Sequence, residues 1–196
     1  RSARPDRMFS NVFDLQAAAL LHGHFHLEPG ALSIESFIVN GRTYAYFPPF
    51  PALLRMPVLA VSGAASGRLT AVSMLLAWGV LMAAAAALVW RLRGLAGMQD
   101  SMSLSACVLT AAFMTAVGGG SIVVYLGSMP WVYHEVYLWS IATAVLATWC
   151  ALRLVEAPSW RRSIDLTVAT SACILTRTTV GFGCVVAAFG CAVVLR

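Results

Sequence analysis

Residues 69–90 read LTAVSMLLAWGVLMAAAAALVW, an apolar run without a single charge. The hydrocarbon of a bilayer is about 30 Å thick and takes about 20 apolar residues of helix to cross, so this stretch predicts a transmembrane helix. Two further stretches, Ser103 to Gly127 and Trp131 to Leu152, have the same character and comparable length. The whole chain agrees, with 60% of its 196 residues hydrophobic and 11% charged, against roughly 25% charged in ordinary soluble domains. The fold class this predicts is an all-α polytopic membrane protein. Ile164 to Leu195 is too long for one upright helix and carries Arg177 near its centre, where an arginine costs about 2.5–3.5 kcal/mol. It predicts two short, tilted or partly re-entrant helices meeting at Arg177, Thr178 and Thr179, for about five transmembrane helices in all. The rival is one long helix with Arg177 paired inside a bundle.

Before this bundle the chain changes character. Residues 1–50 hold Asp6, Asp14, Glu28 and Glu35 and the histidines His22, His24 and His26. They predict a large ordered external loop rather than a crossing. Leu15 to His22 is a short helix-forming run that Asp14 can cap, and Phe37 to Tyr46 has the residues of a strand or hairpin around Asn40-Gly41. Residues 51–68, with Arg55 and Pro57 inside an apolar run, predict a juxtamembrane helix lying at the interface. Residues 69–196 form an incomplete transmembrane bundle, since both ends of the sequence read as cuts in a longer protein. The small motif Ala112, Ala116, Gly120, running into Gly118-Gly119-Gly120, predicts a close helix contact and a bend.

All 13 basic residues are arginine, and the net charge is +5. They are scattered rather than set in a basic, aromatic-interleaved stripe, which excludes nucleic acid as a partner. Arg91, Arg93, Arg153, Arg161 and Arg162 fall in two short connections, which the positive-inside rule places in the cytoplasm. Residues 1–50 and the loop near 128–131 are then extracytoplasmic. Cys107, Cys150, Cys173, Cys184 and Cys191 lie within apolar stretches without a CxxC pair, and read as packing residues.

The chemistry available to the oily part is Trp131 to Trp139, WVYHEVYLW. His134 and Glu135 are adjacent, so on a helix they point about 100° apart; one can serve chemistry while the other orients it. An ionisable residue at this depth is a functional candidate, and the plain alternative is an aromatic membrane belt at a helix end. In the external segment Asp14 is the best-placed acid, with a simple N-cap as its plain reading. The alternation HGHFH at 22–26 would set three imidazoles on one face of a strand and hold zinc, but it reads more simply as exposed turn histidines. Arg42, Arg55 and Arg177 can each reach the outer interface, where a guanidinium binds phosphate; snorkelling to lipid headgroups serves equally well for Arg55.

With Asp14, the run YAYFPPFP at 44–51 and the pair His134-Glu135, the chain resembles the amino-terminal part of bacterial membrane proteins of the glycosyltransferase-C superfamily. In that family an external loop bearing an acid leads through a Tyr-Phe-x-Pro-Pro type motif into interfacial helices and further spans. The resemblance places Asp14 in the catalytic-acid region, Gly41 to Tyr44 and Tyr46 to Pro49 at the loop's end, and Glu135 in the second external loop. It departs from the family in that Leu15 stands where a second acid is usual. It implies inverting transfer of a sugar from a polyprenyl-phosphate donor to a cell-envelope glycan, lipid or protein acceptor at the external face of the bacterial inner membrane. Asp14 would be the general base, Glu135 a second acid orienting the acceptor or a divalent magnesium or manganese ion, and His134 its helper. Arg42, Tyr44, Tyr46 and Arg177 would contact substrate, and the groove beside Pro48 to Ala65 the lipid tail. Two other classes stay open: a transporter or flippase-like protein with Arg177 and Glu135 lining a pathway, and a non-catalytic membrane scaffold of the same fold.

Overall fold

The computed structural model describes residues 11–32, 36–97 and 103–194. Residues 1–10, 33–35, 98–102 and 195–196 lie outside the described residues. The chain order is α1 (Val12–Leu21), β1 (His26–Leu27), β2 (Ser36–Val39), β3 (Arg42–Ala45), α2 (Phe50–Val61), a 3₁₀ turn (Gly63–Ala65), α3 (Leu69–Leu95), α4 (Leu104–Gly119), α5 (Ile122–Gly127), α6 (Val132–Glu156), α7 (Trp160–Thr176) and α8 (Thr178–Val194). The fold is predominantly helical, and the helices carry one small sheet in strand order β1-β3-β2.

That sheet arises from local turn chemistry. Val39 pairs with Arg42 across an antiparallel ladder, which leaves Asn40 and Gly41 as a two-residue loop. Both have positive φ, 51° and 74°, the backbone of a type I′ turn whose twist matches that of the flanking strands. The hairpin expected around Asn40-Gly41 therefore forms.

Asp14, by contrast, does not cap its helix. Helix α1 starts at Val12 behind Asn11, so Asp14 lies inside the first turn, where its charge complements the helix dipole but its side chain is free to reach elsewhere. Helix α2 opens with Pro51 in its first turn, where the missing N–H costs nothing. It turns Ala52 and Arg55 inward and Leu53, Leu54, Val58 and Val61 outward.

Helix α6 is the spine. Val132 and Val136 enter a core with Phe13, Ala17, Leu32 and Phe47 of the amino-terminal segment and Ala52 of α2. Farther along, Leu138, Trp139 and Ala142 pack on Met74, Ala77 and Leu81 of α3, and Ala147 and Cys150 on Leu166 and Ala169 of α7. One helix thus joins three cores. At its carboxyl end Arg91 of α3 pairs with Glu156, Arg153 reaches Asp165 at 3.4 Å, and Arg162 donates to the carbonyls of Arg153 and Ala157 at 2.7 and 2.9 Å. The arginine-rich connections therefore gather at the end of the bundle opposite the amino-terminal segment.

Helices α3 and α6 are each long and apolar enough to cross a membrane. The expected span over 103–127 is interrupted at Gly120 and Ser121. Ser121 is extended and its hydroxyl accepts from the Val123 amide at 3.2 Å, which starts a new short helix, α5. Helix α4 has no buried residue and is anchored where Trp78 Nε1 donates to the Gly118 carbonyl at 3.2 Å. The final apolar stretch breaks at Arg177, as its charge suggests, with extended backbone (φ −154°, ψ 105°) between α7 and α8. Cys173 meets Cys184 and Ile174 meets Gly181, pairs nested about Arg177 that define an antiparallel helical hairpin.

A Cβ on Gly181 would stand 2.5 Å from Ile174 Cα, a backbone contact that no rotamer relieves. Gly181→Ala is expected to push α8 off α7 and cost about 1–3 kcal/mol, in the range of overpacking. Denaturant unfolding of the protein in detergent checks this, and a variant as stable as the parent would show that the hairpin is not held at that contact.

Candidate functional site

The site begins with a side chain that cannot stay where its sequence puts it without help. Arg55 sits on the inward face of α2 in the same stripe as Ala52 and Leu59, and is 2% exposed. A buried cation needs an opposite charge and hydrogen bonds, or its desolvation is prohibitive. Its partners come from both parts of the chain. Arg55 Nη1 donates to Asp14 Oδ1 at 2.5 Å, and Nη2 donates to both carboxylate oxygens of Glu135 at 2.6 Å and to Thr70 Oγ1 at 3.2 Å. The guanidinium carbon lies 5.5 Å from the Phe13 ring centroid. Arg55 Nε is buried with no hydrogen-bond partner among the described residues.

The second oxygen of Asp14 accepts from the Gly67 backbone N–H at 2.5 Å. Gly67 has φ +82°, a conformation that L side chains rarely adopt, and the turn it makes aims that N–H at the carboxylate. On the other side the Ser73 hydroxyl stands beside Glu135 and accepts from Trp139 Nε1 at 2.9 Å. Asp14 and Glu135 are both fully buried. The cluster carries one more negative than positive charge when both acids are ionised.

An aromatic wall closes the centre. Phe47 stands edge to face with Phe13 at 6.1 Å and with Tyr133 at 5.1 Å, and Phe50 with Trp139 at 5.3 Å. Gln16 Nε2 donates to the Phe47 carbonyl at 3.2 Å, tying α1 to the turn that leaves the hairpin.

Of the residues singled out in the sequence, Asp14 and Glu135 are brought together. His134 faces the other way, as the 100° step requires: its Nδ1 is 3.2 Å from the Met129 carbonyl, and its ring lies 5.0 Å from Tyr125 and 6.0 Å from Trp131. Arg42 is exposed at the start of β3. Tyr44 pairs in register with His26 and Phe37, and Tyr46 is largely exposed against Phe37 and Phe47. Arg177 stacks 4.1 Å over the Tyr137 ring, at the end of α6 that carries Glu135. Arg55 does not snorkel to headgroups: its guanidinium turns inward because two carboxylates wait there. Thr70, Ser73 and the Gly67 amide were missed in the sequence. The signal for Arg55 was its place on the apolar stripe of α2, which demands a distant acid.

The three histidines do not share one strand face. His22 ends α1, with Nδ1 2.8 Å from the Ala18 carbonyl, while His24 stacks on His26 at 4.2 Å. Among the described residues no group of three His, Cys, Asp or Glu side chains is placed to hold a metal. Nor do Asp14 and Glu135 fit a bridging magnesium or manganese ion, because the Arg55 guanidinium occupies the space between them.

Partial burial, then the neighbouring His24 and the Arg42 guanidinium, hold the His26 imidazole below the ordinary 6.5. The folded chain therefore binds this proton less readily than the unfolded one, so stability present above pH 6.5 falls as the pH drops towards the lowered value. Arg42→Ala is expected to raise the His26 midpoint in an NMR titration, and an unmoved midpoint would remove Arg42 as a cause. Removing one partner of a buried ion pair costs about 3–5 kcal/mol; Arg55→Ala is expected to lose that much and to expose the amino-terminal segment to protease between residues 22 and 30. Unchanged melting and cleavage would show that Arg55 does not fasten the segment. No family model, curated protein or solved structure matches this chain, so the role of the site has to be read from its geometry.

Proposed function

We propose that this chain is a polytopic protein of a bacterial inner membrane that transfers a sugar, with inversion, from a polyprenyl-phosphate donor to a cell-envelope glycan, lipid or protein acceptor at the external face. The observation that carries the proposal is the meeting of Asp14 and Glu135 on one buried guanidinium. It unites an acid of the external segment with an acid at the mouth of α6. Five crossings follow if α4 with α5, α7 and α8 join α3 and α6. The orientation follows if the arginine-rich end is cytoplasmic.

In this reading the acceptor hydroxyl attacks the anomeric carbon from the face opposite the phosphate. Asp14 takes the hydroxyl proton as the new C–O bond forms, general-base catalysis worth about 10²–10⁴-fold. Glu135 orients the acceptor. The bond to the phosphate breaks with its electron pair on the leaving oxygen, and the polyprenyl phosphate departs as a stable anion that cations stabilise. Arg42 on the hairpin and Arg177 over Tyr137 are cations of the chain available for that contact, and Tyr44 and Tyr46 give the hairpin an aromatic face for sugar. The position of His134 suits bracing the turn before α6.

One observation favours the scaffold instead. All four oxygens of the two acids already have donors from within the protein, which is how a purely structural ion cluster is built. Asp14→Asn in the full-length protein separates the two. With folding verified by thermal shift, sugar transfer is expected to fall about 10²–10⁴-fold; undiminished transfer removes Asp14 from the mechanism, and a parent protein without transfer supports the scaffold. For topology, a cysteine replacing Ser128 in a cysteine-free background is expected to react with an impermeant maleimide from outside, and one replacing Ala96 only after permeabilisation. The reverse pattern would put Glu135 on the cytoplasmic side and end the proposal.

A further inference from the structure

The two acids do not use Arg55 equally. A guanidinium offers two bidentate edges, and carboxylates or phosphates engage an edge best when each of two oxygens takes its own N–H. Asp14 takes Nη1. Both oxygens of Glu135 crowd onto Nη2, while Nε, which forms the side edge together with Nη2, is buried and unpartnered among the described residues. A fully buried donor left unmet is costly. The edge is therefore occupied but half used.

We propose that the Nε–Nη2 edge of Arg55 is the binding site for a phosphate group, and that phosphate enters by exchange with Glu135. A phosphate places one oxygen on Nε and one on Nη2, meeting the donor that Glu135 leaves unmet. Glu135, released, has the neighbouring Ser73 hydroxyl to turn to, and Asp14 keeps Nη1 and the Gly67 amide. Entry is by way of the turn Gly63–Arg68, which is exposed along most of its length and touches the cluster through that amide. The cluster as it stands is the closed form, in which Glu135 occupies the ligand's place and neither acid meets solvent. This deepens the transferase reading and rests on it for the identity of the phosphate as that of the lipid donor; the exchange itself depends only on the geometry of Arg55.

The test uses the full chain in nanodiscs and a short-chain prenyl monophosphate, with the matching prenol and inorganic phosphate as separate arms, binding being read by calorimetry. Exchange has a signature that a structural role does not produce. Glu135→Gln removes the competing charge while keeping shape, and is expected to tighten prenyl phosphate binding about tenfold or more, whereas Arg55→Lys, which loses the fork, weakens it at least tenfold. Weaker or unchanged binding in Glu135→Gln overturns the proposal, and that variant decides alone if Arg55→Lys fails to fold. Prenol binding as tightly as its phosphate also overturns it. Inorganic phosphate showing the same tightening supports exchange with free phosphate as the source. Tightening without sugar transfer in the full-length protein would keep the phosphate site and end the transferase reading.

Discussion

A guanidinium removed from water must be met by opposite charge, and the arrangement of this chain follows from how Arg55 meets that demand. Its position on the inward stripe of α2 is set by helical periodicity, and its partners stand on α1 and α6. Satisfying it brings the amino-terminal segment onto the end of the helical bundle. The same ion cluster aims the Gly67 turn at Asp14 and seats the start of α3 through Thr70. The neighbouring apolar core, Phe13 and Phe47 with Val132 and Val136, supplies the non-directional attraction. The cluster supplies the register, because charges in low dielectric tolerate little misplacement.

The consequence for function is a site assembled from parts that cannot form it separately. The amino-terminal segment contributes one acid, α6 the other, and α2 the cation between them. Such a cluster joins the amino-terminal segment to the bundle and at the same time holds the acids out of contact with solvent. Any chemistry at Asp14 or Glu135 thus requires a change at Arg55, because its guanidinium holds oxygens of both acids. The helical hairpin at Arg177 lies beside it, with a second cation over Tyr137 at the same end of α6.

Much of the fold was legible because its causes are local. The apolar run from Leu69 becomes α3 and that from Trp131 becomes α6, since span length depends only on consecutive apolar residues. Asn40-Gly41 makes its hairpin because only residues that accept positive φ turn a chain in two steps. The last stretch divides at Arg177, the one charge near its centre. The misreadings were also physical. Asp14 has the chemistry of a cap, and a cap is its best local option, but a distant cation outbids a local amide. Ser103 to Gly127 looks continuous in hydropathy, while the extended backbone at Ser121 divides it.

What the sequence alone determined is the two long apolar helices, the break at Arg177, the hairpin, the polar character of the first segment and the identity of the acids worth attention. Only the tertiary structure decided that Arg55 turns inward, that Asp14 and Glu135 share it, and that His134 looks away from both. Periodicity and composition are properties of neighbouring residues, whereas the choice of a counter-charge is made among all the carboxylates of the chain by which of them packing can bring within hydrogen-bond distance. That choice cannot be read before the chain has folded.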